Sequence, residues 1–205
     1  MLTVRDLTCT RGGAAVLSGV GFAVGAGEGL VLRGPNGIGK TTLLRTLAGL
    51  QPALKGEVIT TPETTAYASH ADGVKAALTV RENLAFWAEV HGSKLDETAF
   101  DHFDIADLTD RIAGTLSAGQ KRRLGLARLA VVNRPVLLLD EPTVSLDGFS
   151  VKLFAKYLKD THLANGGAAV IATHIDLGLD LPELDLTPFK ATEADNDGAS
   201  DEAFL

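Results

Sequence analysis

Cysteine is scarce in this chain of 205 residues, which contains Cys9 and no other cysteine. An intrachain disulfide is therefore impossible, and we predict that Cys9 is a small buried apolar residue of the first strand. No run of about 18 apolar residues is present, so a membrane-spanning helix is not expected. The early charges and short apolar run of MLTVRDLTCTR do not fit a secretory signal. We expect a soluble, cytosolic chain that meets a membrane only through a partner.

Basic charge is also in short supply. The 19 lysines and arginines are outnumbered by 26 aspartates and glutamates, which gives a net charge of −7. This balance argues against a general nucleic-acid binder, which usually presents a positive face. The five histidines share no metal-ligand spacing on one helix, and we expect no haem on this chain. These histidines are His70, His91, His102, His162 and His174.

The pattern of apolar residues predicts an α/β fold. Alternation and short apolar runs predict strands at residues 2–9, 16–24, 29–34, 56–60, 64–69, 134–142 and 168–174. Helical spacing predicts helices at residues 40–50, 79–92, 96–103 and about 149–165. Thr79, followed three residues later by Glu82, predicts a capping box at the start of the second helix. The segment from about 72 to 133 is mainly helical, so a helical insertion is expected within the α/β core.

The end of the chain has a different composition. From about residue 183 it is rich in Asp and Glu and poor in large apolar residues except near its end. Such a composition predicts a mostly solvated, mobile extension. The folded domain is therefore expected to span residues 1–190, with an acidic, mobile tail at 191–205.

Residues 34–41, GPNGIGKT, match the phosphate-loop pattern G-x-x-x-x-G-K-[ST], between a predicted buried strand and an amphipathic helix. Glycines allow backbone N–H groups to converge on phosphate oxygens, and the helix N-terminus adds its dipole. Lys40 supplies a positive charge for the β- and γ-phosphates, and the Thr41 hydroxyl is placed to ligate Mg²⁺. We predict a nucleoside triphosphate site formed by Gly34, Pro35, Asn36, Gly37, Ile38, Gly39, Lys40, Thr41 and Thr42.

A second acidic element, VLLLDEP at residues 136–142, follows a predicted buried strand. Asp140 at the end of this strand is expected near the Mg²⁺. Glu141 projects towards the γ-phosphate, where a carboxylate can polarise the attacking water. An Asp-Glu pair is a modest signal alone, but together with the phosphate loop it predicts a hydrolytic site.

The phosphate loop, LSAGQ (116–120), VLLLDEP, VSLD (144–147) and THIDL (173–177) occur in a fixed order. This order resembles the nucleotide-binding domain of ABC ATPases over nearly the whole chain to about residue 190. The resemblance implies a P-loop NTPase core of the ABC ATPase type, with an antiparallel β subdomain and an inserted helical subdomain. It also implies a head-to-tail homodimer that buries two ATP molecules, each with Mg²⁺.

The resemblance assigns roles to residues outside the phosphate loop. The LSAGQ segment would contact the ATP held by the partner protomer, with Ser117 and Gly119 donating hydrogen bonds to its γ-phosphate; the full segment is Leu116, Ser117, Ala118, Gly119 and Gln120. Ser145 and Asp147 match the loop that crosses the dimer interface. His174 matches the switch histidine that contacts the γ-phosphate and orients the catalytic Glu141.

Two positions depart from the general pattern of the family. Arg11 stands where an aromatic residue usually stacks on adenine, and its guanidinium could stack on the base instead. His70 stands where a glutamine usually senses Mg²⁺ and the γ-phosphate while contacting the membrane partner. A histidine can do this only in a pH-dependent way, and the alternative of an ordinary surface-loop residue stays open.

Three sequence segments extend the resemblance to one subfamily of ABC ATPases. RGGAAVL, YASHADGVKAALTVRENLAFWAEVHG and LSAGQKRRLGLARL look like the ATP-binding subunits of haem exporters in bacterial cytochrome c maturation. This implies peripheral attachment to polytopic membrane subunits at the cytoplasmic face of the inner membrane, no nucleic acid, and ATP hydrolysis that drives release of chaperone-bound haem. Two alternatives stay open: a transporter ATPase for another substrate, and a soluble ABC-type ATPase acting on nucleic acid or ribosomes.

The basic run within LSAGQKRRLGLARL would, on its own, suggest a nucleic-acid-binding helix. It contains Lys121, Arg122, Arg123 and Arg128 in a setting of Leu and Ala. Because the run follows the LSAGQ segment, we interpret Lys121, Arg122 and Arg123 as solvated or interface-facing side chains at the start of a helix.

Overall fold

Two β-sheets form the framework of the protein, for which a computed structural model describes residues 1–69, 73–144 and 146–197. The first sheet is antiparallel in the order β2-β1-β4, and the second is parallel in the order β5-β6-β7-β3-β8. The predicted α/β fold with an antiparallel β subdomain is confirmed. The strands are β1 (Leu2–Arg11), β2 (Ala14–Val24), β3 (Gly29–Arg33), β4 (Lys55–Thr60), β5 (Thr65–Ala68), β6 (Val136–Asp140), β7 (Ala168–Ala172) and β8 (Glu183–Asp185).

The centre of the parallel sheet is fully enclosed. Every residue of β6 and β7 is buried, which explains why both strands are continuous apolar runs instead of alternating ones. The two strands pair in register up to Asp140 opposite Ala172. The segments that follow them therefore leave the sheet side by side at its carboxyl edge, where ligands of such sheets usually bind.

Six helices accompany the sheets: α1 (Lys40–Leu47), α2 (Val80–Val90), α3 (Thr98–His102), α4 (Ala118–Val131), α5 (Gly148–Lys156) and α6 (Ala194–Asp197) among the described residues. Short 3₁₀ turns lie at Ala106–Leu108, Ala113–Thr115 and Thr187–Phe189, and α5 continues into a π-helix at Tyr157–Leu163. Between β5 and β6 the described chain contains α2, α3 and α4, two of the 3₁₀ turns and the loops that connect them. None of the helices in the described ranges is long and apolar enough to span a bilayer.

The predicted capping box at the start of α2 is confirmed. The Thr79 hydroxyl accepts a hydrogen bond from the Glu82 backbone N–H at 3.1 Å, and the Glu82 carboxylate accepts one from the Thr79 N–H at 2.7 Å. Two backbone donors that the first helical turn leaves without partners are thereby satisfied.

The core between the two sheets fixes the position of α1. Leu43 and Leu44 of α1 are fully buried in one cluster with Leu7 and Leu17 of the antiparallel sheet and Leu138 of β6. Cys9 is buried in β1 as predicted, and burial raises the pKa of its thiol. Helix α1 and the loop that precedes it are therefore held between the sheets.

The prediction of a solvated extension from about residue 183 is wrong for its first part. Strand β8 pairs with β3, and the Leu186 side chain that follows it is fully buried. Further on, Ser18 donates a 2.7 Å hydrogen bond to Asp195. A strand of three residues with two carboxylates lacks the apolar pattern by which strands are found. Residues 198–205 of the predicted tail lie outside the described residues.

Candidate active site

The loop between β3 and α1 has backbone angles that only glycine adopts readily. The φ angles are 133° at Gly34, 82° at Gly37 and 123° at Gly39. A Cβ atom on Gly39 would lie 2.9 Å from Leu17 Cγ, so the backbone here packs directly on β2. The buried Ile38 anchors the loop, with its N–H donating to the Pro35 carbonyl at 3.3 Å. No side chain caps α1 at Gly39, which leaves its first N–H groups for an anion.

Lys40 is folded back into this loop. Its side-chain ammonium donates to the carbonyl oxygens of Gly34 at 2.7 Å and Pro35 at 3.3 Å, and the residue is 8% exposed. The positive charge is thereby held in the concave side of the loop. This is where the glycine-rich backbone leaves room for a phosphate group.

Both carboxylate oxygens of Asp140 accept hydrogen bonds from hydroxyl groups. Thr41 Oγ1 donates to Asp140 Oδ1 at 3.1 Å, and the Tyr67 hydroxyl donates to Asp140 Oδ2 at 3.2 Å. Burial and the neighbouring Asp140 charge raise the pKa of Tyr67 to about 12, so the phenol keeps its proton at neutral pH. Asp140 is 5% exposed, and the two hydroxyls fix the direction of its carboxylate.

The Thr41–Asp140 pair fits a magnesium ion that arrives with phosphate oxygens. Both side chains offer oxygen, and Mg²⁺ is usually held by one or two protein groups, several waters and substrate phosphates. Within the described parts of the chain, no group of three or more His, Cys, Asp and Glu side chains could hold a metal unaided. The arrangement therefore suits a shared nucleotide–metal site better than a permanent metal centre.

Tyr67→Phe is expected to weaken the apparent affinity for Mg²⁺ by about 3- to 10-fold, because a hydrogen bond to a charged group is worth about 1.5–3 kcal/mol and part is regained by water. The measurement is a Mg²⁺ titration of nucleotide binding and ATP hydrolysis. Tyr157→Phe, which removes the other tyrosine hydroxyl beside Phe103 in the core, is the control. Equal Mg²⁺ midpoints for the Tyr67→Phe variant and wild type would contradict the role given to Tyr67.

Glu141 and His174 approach each other after β6 and β7. The Glu141 backbone has a φ of 49°, and its N–H donates to the Ala172 carbonyl at 2.8 Å. His174 Nε2 lies 3.4 Å from Glu141 Oε1 and 2.8 Å from Asn36 Oδ1 of the phosphate loop. The strand register thus brings the predicted carboxylate and imidazole together at one point of the loop.

His174 Nε2 faces both a hydrogen-bond donor and hydrogen-bond acceptors. Lys40 Nζ lies 3.2 Å from Nε2, but an ammonium can only donate hydrogen bonds. Asn36 Oδ1 and Glu141 Oε1 can only accept them. A hydrogen on Nε2 is donated to Asn36 Oδ1 and lies beside Glu141 Oε1, while Lys40 keeps its bonds to the loop carbonyls; an Nε2 without hydrogen accepts from Lys40 Nζ instead. With the hydrogen on Nε2, the imidazole presents a donor towards the mouth of the phosphate loop.

The LSAGQ segment lies at the start of α4. The Ser117 hydroxyl accepts a hydrogen bond from the Gln120 N–H at 3.3 Å, and the Gln120 side chain accepts one from the Ser117 N–H at 3.0 Å. Leu116 is buried, whereas Ser117, Ala118 and Gly119 are exposed. A Cβ atom on Gly119 would have no neighbour within 4 Å, so the segment offers an open face.

The remaining predicted residues have separate positions. Asp147 caps α5, where its carboxylate accepts a 2.7 Å hydrogen bond from the Ser150 N–H, and this bond lowers the pKa of Asp147. Arg11 is exposed at the end of β1. The neighbouring Thr10 carbonyl accepts from Gln51 Nε2 at 3.2 Å, and the same nitrogen donates to the Thr42 carbonyl in α1.

The predicted His70 and Ser145 lie outside the described residues.

The interpretation of the basic run as solvated or interface-facing side chains is wrong for Arg122. Arg122 is 5% exposed, and its NH2 group donates to the Pro142 carbonyl at 2.7 Å and the Glu141 carbonyl at 3.3 Å. Its neighbours are only partly buried: Lys121 donates to the Gly114 carbonyl, and Arg123, whose side chain is 15% exposed, pairs with the exposed Asp104. The sequence pattern does not predict this difference, because Lys121, Arg122 and Arg123 are three consecutive basic residues. Only their surroundings in the fold distinguish them.

Comparisons with known proteins agree with this geometry. The family model described as ABC transporter matches residues 17–144. The cytochrome c biogenesis ATP-binding export protein CcmA of Rhodobacter capsulatus is 64% identical over 192 residues, which cover 93% of this chain and 89% of that protein. The protein of the same name from Roseobacter denitrificans is 59% identical over 205 residues, covering 100% and 99%.

Solved structures agree on the fold. A putative ABC transporter ATP-binding protein from Pyrococcus furiosus superposes with a TM-score of 0.80 at 25% identity, covering 93% of this chain and 99% of that one. The predicted resemblance is confirmed by both kinds of comparison. The chain belongs to the ABC transporter family and, within it, to the family of cytochrome c biogenesis ATP-binding export proteins.

Proposed function

We propose that this chain is the ATP-binding and ATP-hydrolysing subunit of an ABC transporter complex that couples hydrolysis to haem export and release of a haem-loaded chaperone in cytochrome c biogenesis. One observation carries the enzymatic part. Lys40, Asn36, Glu141 and His174, which come from three segments of the chain, meet within 2.8–3.4 Å around His174 Nε2. The names of the similar proteins support the part that concerns transport.

The arrangement suits in-line attack of water on a γ-phosphate. Lys40 and the loop N–H groups would hold the phosphates, and the Nε2–H of His174 would donate to a γ-oxygen. Glu141 would polarise the attacking water from beside that imidazole. Thr41 and Asp140 would hold Mg²⁺, which supplies positive charge to the β- and γ-oxygens. Arg11 would stack on the base at the edge of the site.

The open LSAGQ face is proposed to complete the ATP site of a second copy. The Ser117 oxygen already accepts a bond from Gln120, so its hydroxyl hydrogen is directed to another acceptor, such as a γ-phosphate oxygen. The Gly119 N–H and the start of α4 add donors for the same anion. Ser145 and Asp147 would cross the interface of this head-to-tail homodimer.

We assign the chain to the cytoplasmic face of the inner membrane, where two copies would bind polytopic subunits. A groove between the core and the helical segment supports this attachment. It is lined by residues that include Leu50, Tyr67, Trp87, His91 and Arg128, and Leu50 is 55% exposed at its rim. His70, which lies outside the described residues, is proposed to connect this groove to the nucleotide. Nucleic acid has no part in the proposal.

Purification of the chain with its partners from membranes tests this function. We expect polytopic membrane proteins of cytochrome c assembly in the complex and ATP hydrolysis that requires Mg²⁺. The ATPase subunit, separated from its partners, is expected to carry no stoichiometric haem. Ribosomes or DNA in place of membrane proteins would overturn the class of function. A membrane partner that belongs to another pathway would overturn the haem assignment alone.

A further inference from the structure

Arg122 joins the helix of the LSAGQ segment to the loop of the catalytic carboxylate. It lies five residues after Ser117, the residue that caps α4. Its Nη2 atom donates to two consecutive carbonyls, that of Glu141 at 3.3 Å and that of Pro142 at 2.7 Å. Arg122 is 5% exposed as a residue, so its guanidinium has given up most of its hydration. Such a cation is kept in place by the contacts that it makes inside the protein.

The loop that Arg122 contacts is one that needs support. Glu141 has a φ of 49°, a conformation that side-chain-bearing residues rarely adopt and that persists where the surroundings impose it. The Glu141 N–H is held by the Ala172 carbonyl at 2.8 Å, and its own carbonyl is held by Arg122. The N–H and the carbonyl of Glu141 are therefore both held by hydrogen bonds. This fixed backbone directs the Glu141 side chain towards His174.

We propose that Arg122 is a positioning residue for hydrolysis: by holding the Glu141 and Pro142 carbonyls, it sets the geometry of the Glu141 carboxylate without touching the nucleotide. The inference rests on the proposed function, in which Glu141 polarises the attacking water. Since Arg122 and Ser117 lie on the same helix, a movement of α4 when the partner's nucleotide binds would reach Glu141 through this contact.

The test uses the transporter complex isolated from membranes, with Arg122→Gln, Arg122→Lys, Glu141→Gln and the double variant Arg122→Gln/Glu141→Gln. We measure kcat, KM for ATP, Kd for a fluorescent ATP analogue and Tm. Arg81→Gln, which removes an exposed arginine paired with Glu97, is the control and should keep wild-type turnover. Glutamine offers a neutral donor of shorter reach, and lysine keeps the charge but not the planar fork.

Arg122→Gln is expected to lower kcat by about 10- to 100-fold, the size of effect produced by misplacing a catalytic group by about 1 Å. KM and Kd should stay within about twofold, since the contact does not involve the phosphate loop. Arg122→Lys should recover part of the lost kcat. In the Glu141→Gln background the Arg122→Gln change should add no further loss, because it acts through the carboxylate that is already removed.

Three results would overturn the inference while the function of Glu141 stands: wild-type kcat in Arg122→Gln, parallel losses in kcat and nucleotide affinity, or losses that multiply in the double variant. If Arg122→Gln does not assemble, Arg122→Lys decides, because wild-type kcat in that variant would contradict a need for the two-carbonyl contact. Wild-type turnover in Glu141→Gln would be a different failure, that of the proposed function itself.

Discussion

Glu141→Gln is expected to bind ATP with near wild-type affinity and to lose turnover by about 10³-fold, within the range that general acid–base groups contribute. The substitution keeps the size of the side chain and removes its charge. Glutamine can still accept a hydrogen bond from His174 Nε2, which lies 3.4 Å from the present carboxylate. It is a poor proton acceptor, however, so the attacking water is no longer polarised. The phosphate loop and the Thr41–Asp140 pair are unchanged, so binding should persist.

The measurement compares ATP hydrolysis with the Kd of a fluorescent ATP analogue in the assembled complex. Glu57→Gln, at an exposed position of β4, is the matched control and should keep both values. ATP that is bound but not cleaved should also hold two copies of the subunit together, so the lifetime of the ATP-bound dimer should increase. If the Glu141→Gln variant kept wild-type hydrolysis, the assignment of Glu141 as the catalytic carboxylate would be wrong.

Local patterns in the sequence predict the parts of the fold that local interactions determine. The capping box at Thr79 depends on residues three apart, and the phosphate loop depends on eight consecutive residues. The buried strands β6 and β7 are found because both faces of a central parallel strand are covered, which leaves a continuous apolar run. The short strand β8 is not predicted, since three residues with two carboxylates show no apolar pattern, although β8 pairs with β3 and Leu184 packs against the core.

Contacts between distant segments are beyond local patterns. Tyr67 reaches Asp140 across 73 positions of the chain, and Arg122 binds the Pro142 carbonyl whereas Lys121 and Arg123, the basic residues on either side of it, have other partners. The approach of His174 to Asn36 spans 138 positions. The family resemblance predicted a role for His174 because it carries the three-dimensional arrangement of other proteins. It gave no role to Tyr67 or Arg122, which only the packing of this chain reveals.

Lys40→Met is expected to weaken ATP binding by about 100- to 1000-fold. Each hydrogen bond from the ammonium to a phosphate oxygen is charge-assisted and worth about 1.5–3 kcal/mol, and each 1.4 kcal/mol corresponds to about a factor of ten. Methionine has nearly the same length and a high helix propensity, so α1 should still begin at this residue. The loss should therefore come from the missing charge and not from an unfolded loop.

One feature of the free protein could obscure this result, because Lys40 also donates to the Gly34 and Pro35 carbonyls and so helps to hold the loop closed. A Tm measured without nucleotide separates the two effects. We expect a small decrease in that Tm, since the backbone of the loop is fixed independently by Ile38 and by the packing of Gly39 on Leu17.

The increase in Tm that ATP produces should, in contrast, nearly vanish in Lys40→Met, because ligand stabilisation follows affinity. Lys55→Met, at an exposed position of β4, should retain it. Full ATP stabilisation of the Lys40→Met variant would show that the phosphates bind elsewhere.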